Sequence, residues 1–509
     1  MSEDASRAVP HPVAGGRLDL AANLATFGLA LAWLVRLVPQ ALAARLQTDE
    51  CFHAWVSRWI AAHGTLPARI DGLYGGFGYF YPPLFHVLGA CAFRSGGLDG
   101  FRLLNVVIAA ALLGVVAAGA ARLAGNVAAR WAVCVCVAGG FLAEHAVRLY
   151  VEALSALLAA AAAFMLARVL REARIRDGAA LGVLAGLAIT AKLTGLVLPP
   201  IIVLLAAGYA LRGHAAVARA LGVAAAVALV VAAPLFVRNA LLFGSPIYPA
   251  LGRDVHPLVM ALNVRHFTPA AFALYAETLR RAGPATLACV AAAFALAAWT
   301  RRAGSELAIA AGAIALVLLA PLQPLVDARH LLPLVIVCGT LSAVSIACAL
   351  EGRIRARRAV DLLALAFAAW AVLAMPHWRT QEDLDESPGM LEAFTTIRAN
   401  VPATDTLLAR ETYDTFWYAD RPANWPIPFG QHHTPIEMFQ TANPDSVESA
   451  LRAHHLTWIL LTDDPVNGPF NGADWPEDFT TALQSLATRG RAKKVWSNDD
   501  ASLWRLEER

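Results

Sequence analysis

The sequence predicts a polytopic α-helical membrane protein with a small α/β domain at its C-terminal end, and three observations predict it. Hydrophobic residues make up 58% of the 509 residues and charged residues only 16%, well under the roughly 25% of a soluble globular chain. Apolar runs long enough, or nearly long enough, to cross a hydrocarbon core recur along residues 1–376. Beyond 376 those runs stop, and charges, turn residues and short periodic segments take their place through 509.

The runs lie near 19–40, 101–122, 130–146, 151–170, 178–191, 194–211, 216–236, 284–300, 305–322, 331–350 and 359–376, which predicts about 11–13 transmembrane helices. The first run has no small-residue cleavage site behind it and reads as a retained span. Arginines fall in alternate connections: Arg122 and Arg130; Arg168, Arg171, Arg174 and Arg176; Arg212 and Arg219; Arg301 and Arg302; Arg353, Arg355, Arg357 and Arg358. The positive-inside rule makes these connections, and the N-terminus, cytoplasmic. The extracytoplasmic face then receives the 41–80 loop, residues 148–152, the 237–283 loop, residues 327–330 and the tail. Residues 82–96 would rise only about 22 Å as a helix. Counted as a full crossing, they would put the arginine clusters outside. They are expected as a re-entrant or half-buried helix on the outer side; two extra crossings would restore the same parity.

Within the 41–80 loop, Phe52, Trp55, Val56, Trp59 and Ile60 recur at helical spacing. They predict a short amphipathic helix in the membrane interface, tryptophans at headgroup depth. Asp49 and Glu50 open it, where the helix dipole favours ionised carboxylates. An aromatic and glycine-rich run from Tyr74 to Tyr81 follows, suited to a sugar or prenyl chain and equally to interfacial anchoring. In the tail, Ser387-Pro388 begins a helix to about Asn400. Strands are expected at 406–409 and 456–461, a helix near 445–455, and a hairpin over 496–504.

Composition also excludes. A net charge of +3 with no basic tract gives no nucleic-acid partner. Seven cysteines without a CxxC pair mark neither a zinc module nor a disulfide framework. Cys134, Cys136, Cys289, Cys338 and Cys348 read as small core residues, and His432-His433 as a structural or surface pair.

Acids and bases converge on the outer face. Asp49 and Glu50 are joined by Glu152, with Arg148 just before it, by Lys192 between two short apolar runs, by Arg238 and by Arg329-His330. Singly, each has a plain reading: acids suit a helix start, and basic side chains snorkel. Together they suit group transfer from a lipid-linked phosphate. A carboxylate takes the proton of an incoming hydroxyl, and fixed cations stabilise the charge of a departing phosphate.

Thr48-Asp49-Glu50, Tyr81-Pro82-Pro83-Leu84-Phe85-His86, Arg148-Leu149-Tyr150-Val151-Glu152, Arg238-Asn239 with Phe243-Gly244-Ser245-Pro246-Ile247-Tyr248-Pro249, and Arg329-His330-Leu331-Leu332-Pro333 stand in this order. Over residues 1–376 this series resembles the GT-C glycosyltransferases, in the branch of protein O-mannosyltransferases and lipid A aminoarabinose transferases. The resemblance implies a polyprenyl-phosphate sugar donor, undecaprenyl phosphate in a bacterial inner membrane. It also implies an acceptor hydroxyl on lipid, glycan or protein, and inverting transfer outside the cytoplasm. Asp49 matches the family's base, Glu50 its neighbour, and Glu152 the second acidic site, where relatives often carry aspartate. Several relatives carry a lysine before the paired prolines, where this chain has Phe80-Tyr81. The phosphate is therefore assigned to Arg329, Arg238 and Lys192, with His330 beside them. Tyr79, Tyr81, His53 and Arg148 are the candidate sugar and lipid contacts. Two carboxylates could hold a divalent ion such as Mg or Mn, but no further ligand is recognisable. The rival from another class is a lipid or polysaccharide flippase; no two-halves repeat supports it.

Overall fold

The computed structural model describes residues 17–43, 45–46, 48–74, 76–248, 332–374, 388–425, 441–462 and 477–508. The expected spans at 284–300 and 305–322, Arg329, His330, Cys289 and His432-His433 lie outside them. Among the described residues, six helices are long and apolar enough to cross a membrane, and the chain is a multi-pass membrane protein.

Helix α1 (Arg17–Ala43) precedes α2 (Asp49–His63) and a small hairpin of β1 (Arg69–Ile70) and β2 (Phe77–Gly78). Helix α3 (Leu84–Ala138) is 55 residues long but is broken at Gly96-Gly97 and at Ala124-Gly125. Gly97 and Gly125 adopt φ of +62° and +81°, a conformation only glycine takes without strain. The first piece, 84–95, is about 18 Å long, and it falls within the short segment the sequence marks at 82–96. At one end of the bundle Arg102 donates to Leu42 O (3.0 Å), and at the other Arg130 pairs with Asp19 (3.4 Å). Asn105 then reaches the carbonyls of Arg148 and Tyr150. The chain therefore runs the length of the bundle through 98–123 and returns through 126–138 and α4 (Gly140–Val147).

Next come α5 (Glu152–Glu172), α6 (Ile175–Ala191), a 3₁₀ turn (Leu193–Val197), α7 (Leu198–Leu211) and α8 (Ala215–Phe243). After the undescribed stretch, α9 (Leu332–Ala349) and α10 (Ile354–Leu373) complete the bundle. Far from α2, Arg130 cross-braces three helices: it meets Asp361 of α10 at 2.9 Å and Asn23 of α1 at 2.9 Å, while Trp131 donates to Asp361 at 2.7 Å. The cysteines read as core residues behave so where described: Cys134, Cys136 and Cys338 are buried and Cys348 is partly covered.

Helices α6 and α8 touch backbone to backbone. Gly178, Gly182 and Gly186, one helical turn apart, face Ala220, Ala224 and Ala228, a small-residue stripe that lets helices approach closely. A Cβ at Gly182 would stand 2.5 Å from Ala224 O, and a carbonyl locked in a helix cannot rotate away. Gly182→Val should therefore cost at least the roughly 1–3 kcal/mol of an overpacked core. Thermal unfolding of detergent-purified protein checks this. Gly222→Ala is the control, because nothing stands within 4 Å of a Cβ there.

The tail folds as a five-stranded mixed sheet of order β4-β3-β5-β7-β6. Strands β3 (Thr406–Ala409), β4 (Ala423–Asn424) and β5 (Leu456–Thr462) run parallel, and the hairpin of β6 (Ala492–Ser497) and β7 (Ala501–Leu506) joins antiparallel to β5. Alternation along the strands fills both faces. Leu407, Trp458 and Leu460 pack with Phe394 of α11 (Pro388–Asn400), while Leu408 and Ile459 pack with Val447 of α12 (Pro444–Ala453) and Phe479 of α13 (Glu477–Thr488).

The sheet continues into the loop that follows α2. Leu73 bridges to Ala423 in parallel register, with Tyr74 N donating to Ala423 O and Ala423 N to Gly72 O, both 2.9 Å. Gly72 sits against the Phe416 ring so closely that a side chain there would collide with it.

Candidate active site around helix α2

The stripe that marks α2 in the sequence faces protein. Phe52, Val56 and Ile60 are buried against Ile70, Tyr79 and Ala90, and Trp55 and Trp59 are partly covered. Phe52 lies 5.0 Å from the ring of Tyr81 and 5.1 Å from that of Tyr413. An amphipathic period alone does not tell whether lipid or a returning domain covers the apolar face.

Asp49 and Glu50 part company at the start of this helix. Glu50 is 0% exposed, and its Oε1 accepts the N–H of Leu149 at 2.7 Å. Asp49 stays partly exposed and lies within electrostatic reach of Tyr74 and Tyr413, which hydrogen-bond to each other. Burial, with Asp49 and Asp414 adding to it, pushes the Tyr74 hydroxyl above its ordinary range; Tyr413 is raised too, by burial first. Both phenols therefore remain protonated beside Asp49 at neutral pH.

Glu50 positions residues 148–151 from one side, and Asn105 holds the carbonyls of Arg148 and Tyr150 from the other. The Arg148 guanidinium lies over the Tyr150 ring (5.7 Å) and 3.8 Å from Glu144. Burial alone would lower its pKa; Tyr150, Glu50 and Glu144 outweigh that and raise it, so the cation persists. Glu152, the first residue of α5, is 3% exposed and pairs with Lys192 Nζ at 2.8 Å. Lys192 can reach it because the chain is extended there (φ −152°, ψ 139°), between the end of α6 and the 3₁₀ turn.

On the other side of α2 the polar groups run inward. His53 Nδ1 lies 2.7 Å from His86 Nε2, and His86 Nδ1 lies 2.7 Å from the Tyr79 hydroxyl. All three residues are buried. Arg238 lies over the Tyr79 ring at 5.0 Å and donates to Pro67 O at 2.9 Å. Thus His53 and Tyr79, read from the sequence as sugar or lipid contacts, form a buried relay under Arg238, while Tyr81 is partly exposed beside Phe52. Among the described residues no group of three or more His, Cys, Asp and Glu side chains is placed to hold a metal ion.

The structure thus brings Glu50 to the Arg148 segment and Glu152 to Lys192, sets Asp49 within reach of Tyr74 and Tyr413 near Tyr81, and joins His53, Tyr79 and Arg238 through His86 and the Tyr79 ring. Sequence reasoning missed Asp414, Tyr413 and Asn105, and took in Tyr74 only as part of the aromatic run. Asn105, a lone amide in an apolar run, carried a usable signal; Asp414 sits in a polar tail and carried none.

No protein-family profile and no curated protein matches the sequence. Solved structures do. The oligosaccharyltransferase of Archaeoglobus fulgidus in complex with Zn and sulfate superposes with a TM-score of 0.62 at 16% identity, covering 86% of this chain and 68% of that one. ArnT from Cupriavidus metallidurans, bound to undecaprenyl phosphate, superposes with a TM-score of 0.59 at 14% identity, covering 96% of this chain and 97% of that one. The chain has the GT-C fold. The archaeal enzyme AglB, with an inhibitory peptide and a dolichol-phosphate, adds a match at TM-score 0.60 and 14% identity, over 88% of this chain and 69% of that one. The ArnT match runs nearly end to end in both chains, so the GT-C likeness takes in the tail as well as the bundle.

Proposed function

We propose that the protein is a membrane glycosyltransferase that moves a sugar from a polyprenyl-phosphate donor to an acceptor hydroxyl at the extracytoplasmic face. The observation that carries this reading is the division of labour at the α2 start: one carboxylate is sequestered on Leu149 and its neighbour stays accessible, with protonated phenols beside it. Asp49 takes the proton of the acceptor hydroxyl as that oxygen bonds to the anomeric carbon. The bond from the anomeric carbon to the phosphate oxygen breaks, and its electron pair leaves on the phosphate. One such displacement inverts the anomeric centre. Arg148, Arg238 and Lys192, with Arg329 and His330 from outside the described residues, offset the phosphate charge. Glu152 holds Lys192 and orients sugar or acceptor hydroxyls, and Tyr81 lines the sugar path. Undecaprenyl phosphate and dolichol-phosphate in the similar structures support this donor class.

In this reading the protein sits in a bacterial inner membrane, with the α2 end outside, the N-terminus in the cytoplasm and residues 377–509 in the periplasm; the alternate spacing of the arginine-bearing connections supports that orientation. Residues 1–376 form the transferase domain, with 41–80 as its catalytic loop.

Native mass spectrometry of the detergent-purified chain tests the reading. A polyprenyl-phosphate sugar should accumulate on Asp49→Asn relative to wild type, and its mass would name the sugar. Bound lipid that carries no sugar and ignores the Asp49 substitution would instead mean a flippase.

A further inference from the structure

Helix α2 is not capped by the side chain of its own N-cap residue. Thr48 is of a favoured N-cap type, yet its side chain makes no cap hydrogen bond and its backbone sits at φ +38°, a conformation a β-branched residue adopts only when its surroundings hold it there. What holds it comes from the tail. Asp414, 1% exposed, accepts the N–H of Thr48 at 2.7 Å and the thiol of Cys51 at 3.2 Å through the same oxygen. Its neighbours grip the same helix and the segments on either side of it. The Tyr418 hydroxyl donates to Leu46 O at 2.8 Å, Tyr413 pairs with Tyr74, Phe416 lies 5.2 Å from Trp55, and Arg58 lies over Trp417 at 4.6 Å. Residues 415–419 form a π-helical turn, a rare geometry that recurs at functional sites.

We infer that Asp414 is the positioning residue of the active site, a cap supplied in trans by the C-terminal domain that fixes where Asp49 stands. This rests on the reading of Asp49 as the base. Thr48 is the residue before Asp49, so the bond to Asp414 sets the point from which the base projects. Losing it frees the Thr48 backbone from its held conformation and lets the first turn of α2 relax. Asp414 touches no reacting atom; its effect passes through Thr48 and Cys51. Misplacement of a catalytic group by about 1 Å lowers turnover by roughly 100-fold, so an effect between about 10- and 100-fold is expected.

The test uses the full chain with two substitutions at this residue. Asp414→Ala removes the acceptor; Asp414→Asn keeps an amide oxygen that still accepts from Thr48, since both residue types cap helices. Two quantities are read: kcat and the KM for a polyprenyl-phosphate sugar donor, from initial rates over a range of donor concentrations, and the rate at which Cys51, fully buried in the native chain, reacts with maleimide, mapped by peptide mass. Asp414→Ala should lower kcat by about 10- to 100-fold with KM for the donor unchanged and should speed Cys51 labelling. Asp414→Asn should keep kcat within about threefold and leave Cys51 protected. Faster labelling with wild-type kcat would overturn the positioning role, and so would unchanged labelling and kcat. If Asp414→Ala does not fold, Asp414→Asn decides alone: kcat as low as that of Asp49→Asn defeats the inference. Should Asp49→Asn itself turn over at the wild-type rate, the base assignment fails while the Cys51 readout still reports the cap.

Discussion

Asp49→Asn is expected to lower turnover by about 10²- to 10⁴-fold, the usual contribution of a positioned general base, while thermal stability and donor retention stay at wild-type values. The substitution is nearly isosteric, and asparagine is also accepted at helix starts, so the fold has no reason to fail. The neighbouring carboxylate gives the contrast. Glu50→Gln keeps an oxygen that accepts from Leu149 N–H, the bond that sets residues 148–151, and should retain most activity. Glu50→Ala frees that segment and should lose stability along with turnover. A discharge assay with polyprenyl-phosphate sugar, run beside thermal unfolding, separates the two carboxylates. Equal behaviour of Asp49→Asn and Glu50→Gln would refute the division of labour.

Lys192→Ala is expected to cost roughly 3 kcal/mol of stability, because it removes the cation from beside Glu152, a carboxylate that is 3% exposed. Lys192 is itself 18% exposed, which places the loss at the lower end of the range for broken buried pairs. Neutralising the partner should restore most of it: Glu152→Gln combined with Lys192→Ala regains stability, because no buried charge is then left behind. Turnover should not return, since Lys192 is one of the cations proposed for the donor phosphate. Melting temperatures of the two single variants and the double variant form a cycle that isolates the pair. A Lys192→Ala protein that melts at the wild-type temperature would show that the pair contributes nothing.

The sequence carried the long helices because apolar runs and their spacing are local signals. It carried α2 through Phe52, Val56 and Ile60, and the tail strands β3 and β5 through short buried runs. The short 84–95 segment was also legible, from length alone. What escaped was set by distance along the chain. Lys192 meets Glu152 across 40 residues, and Asp414 meets Thr48 across 366; no local pattern encodes either partner. Nor does residue type name a partner: His53 and Tyr79, expected as sugar or lipid contacts, both bond to His86 in the interior, a residue 33 positions from one and 7 from the other. The stripe of α2 was read against a membrane interface and is covered in part by Tyr413 and Phe416, residues whose proximity only the folded tail creates. Glycines 178, 182 and 186 stood in plain view at one-turn spacing, but their meaning depended on alanines 220, 224 and 228 lying opposite.

The strand bridge from Leu73 to Ala423, and the bond from Thr48 to Asp414, have a consequence for biogenesis. A chain leaving the ribosome presents its outer loop some 340–370 residues before the segments that complete it. Until the tail has been synthesised and delivered to the same side, the loop has neither its strand partner nor its cap. The order of synthesis thus works as a safeguard: a nascent or prematurely terminated chain can insert its helices into the bilayer, yet the start of α2 stays unfinished.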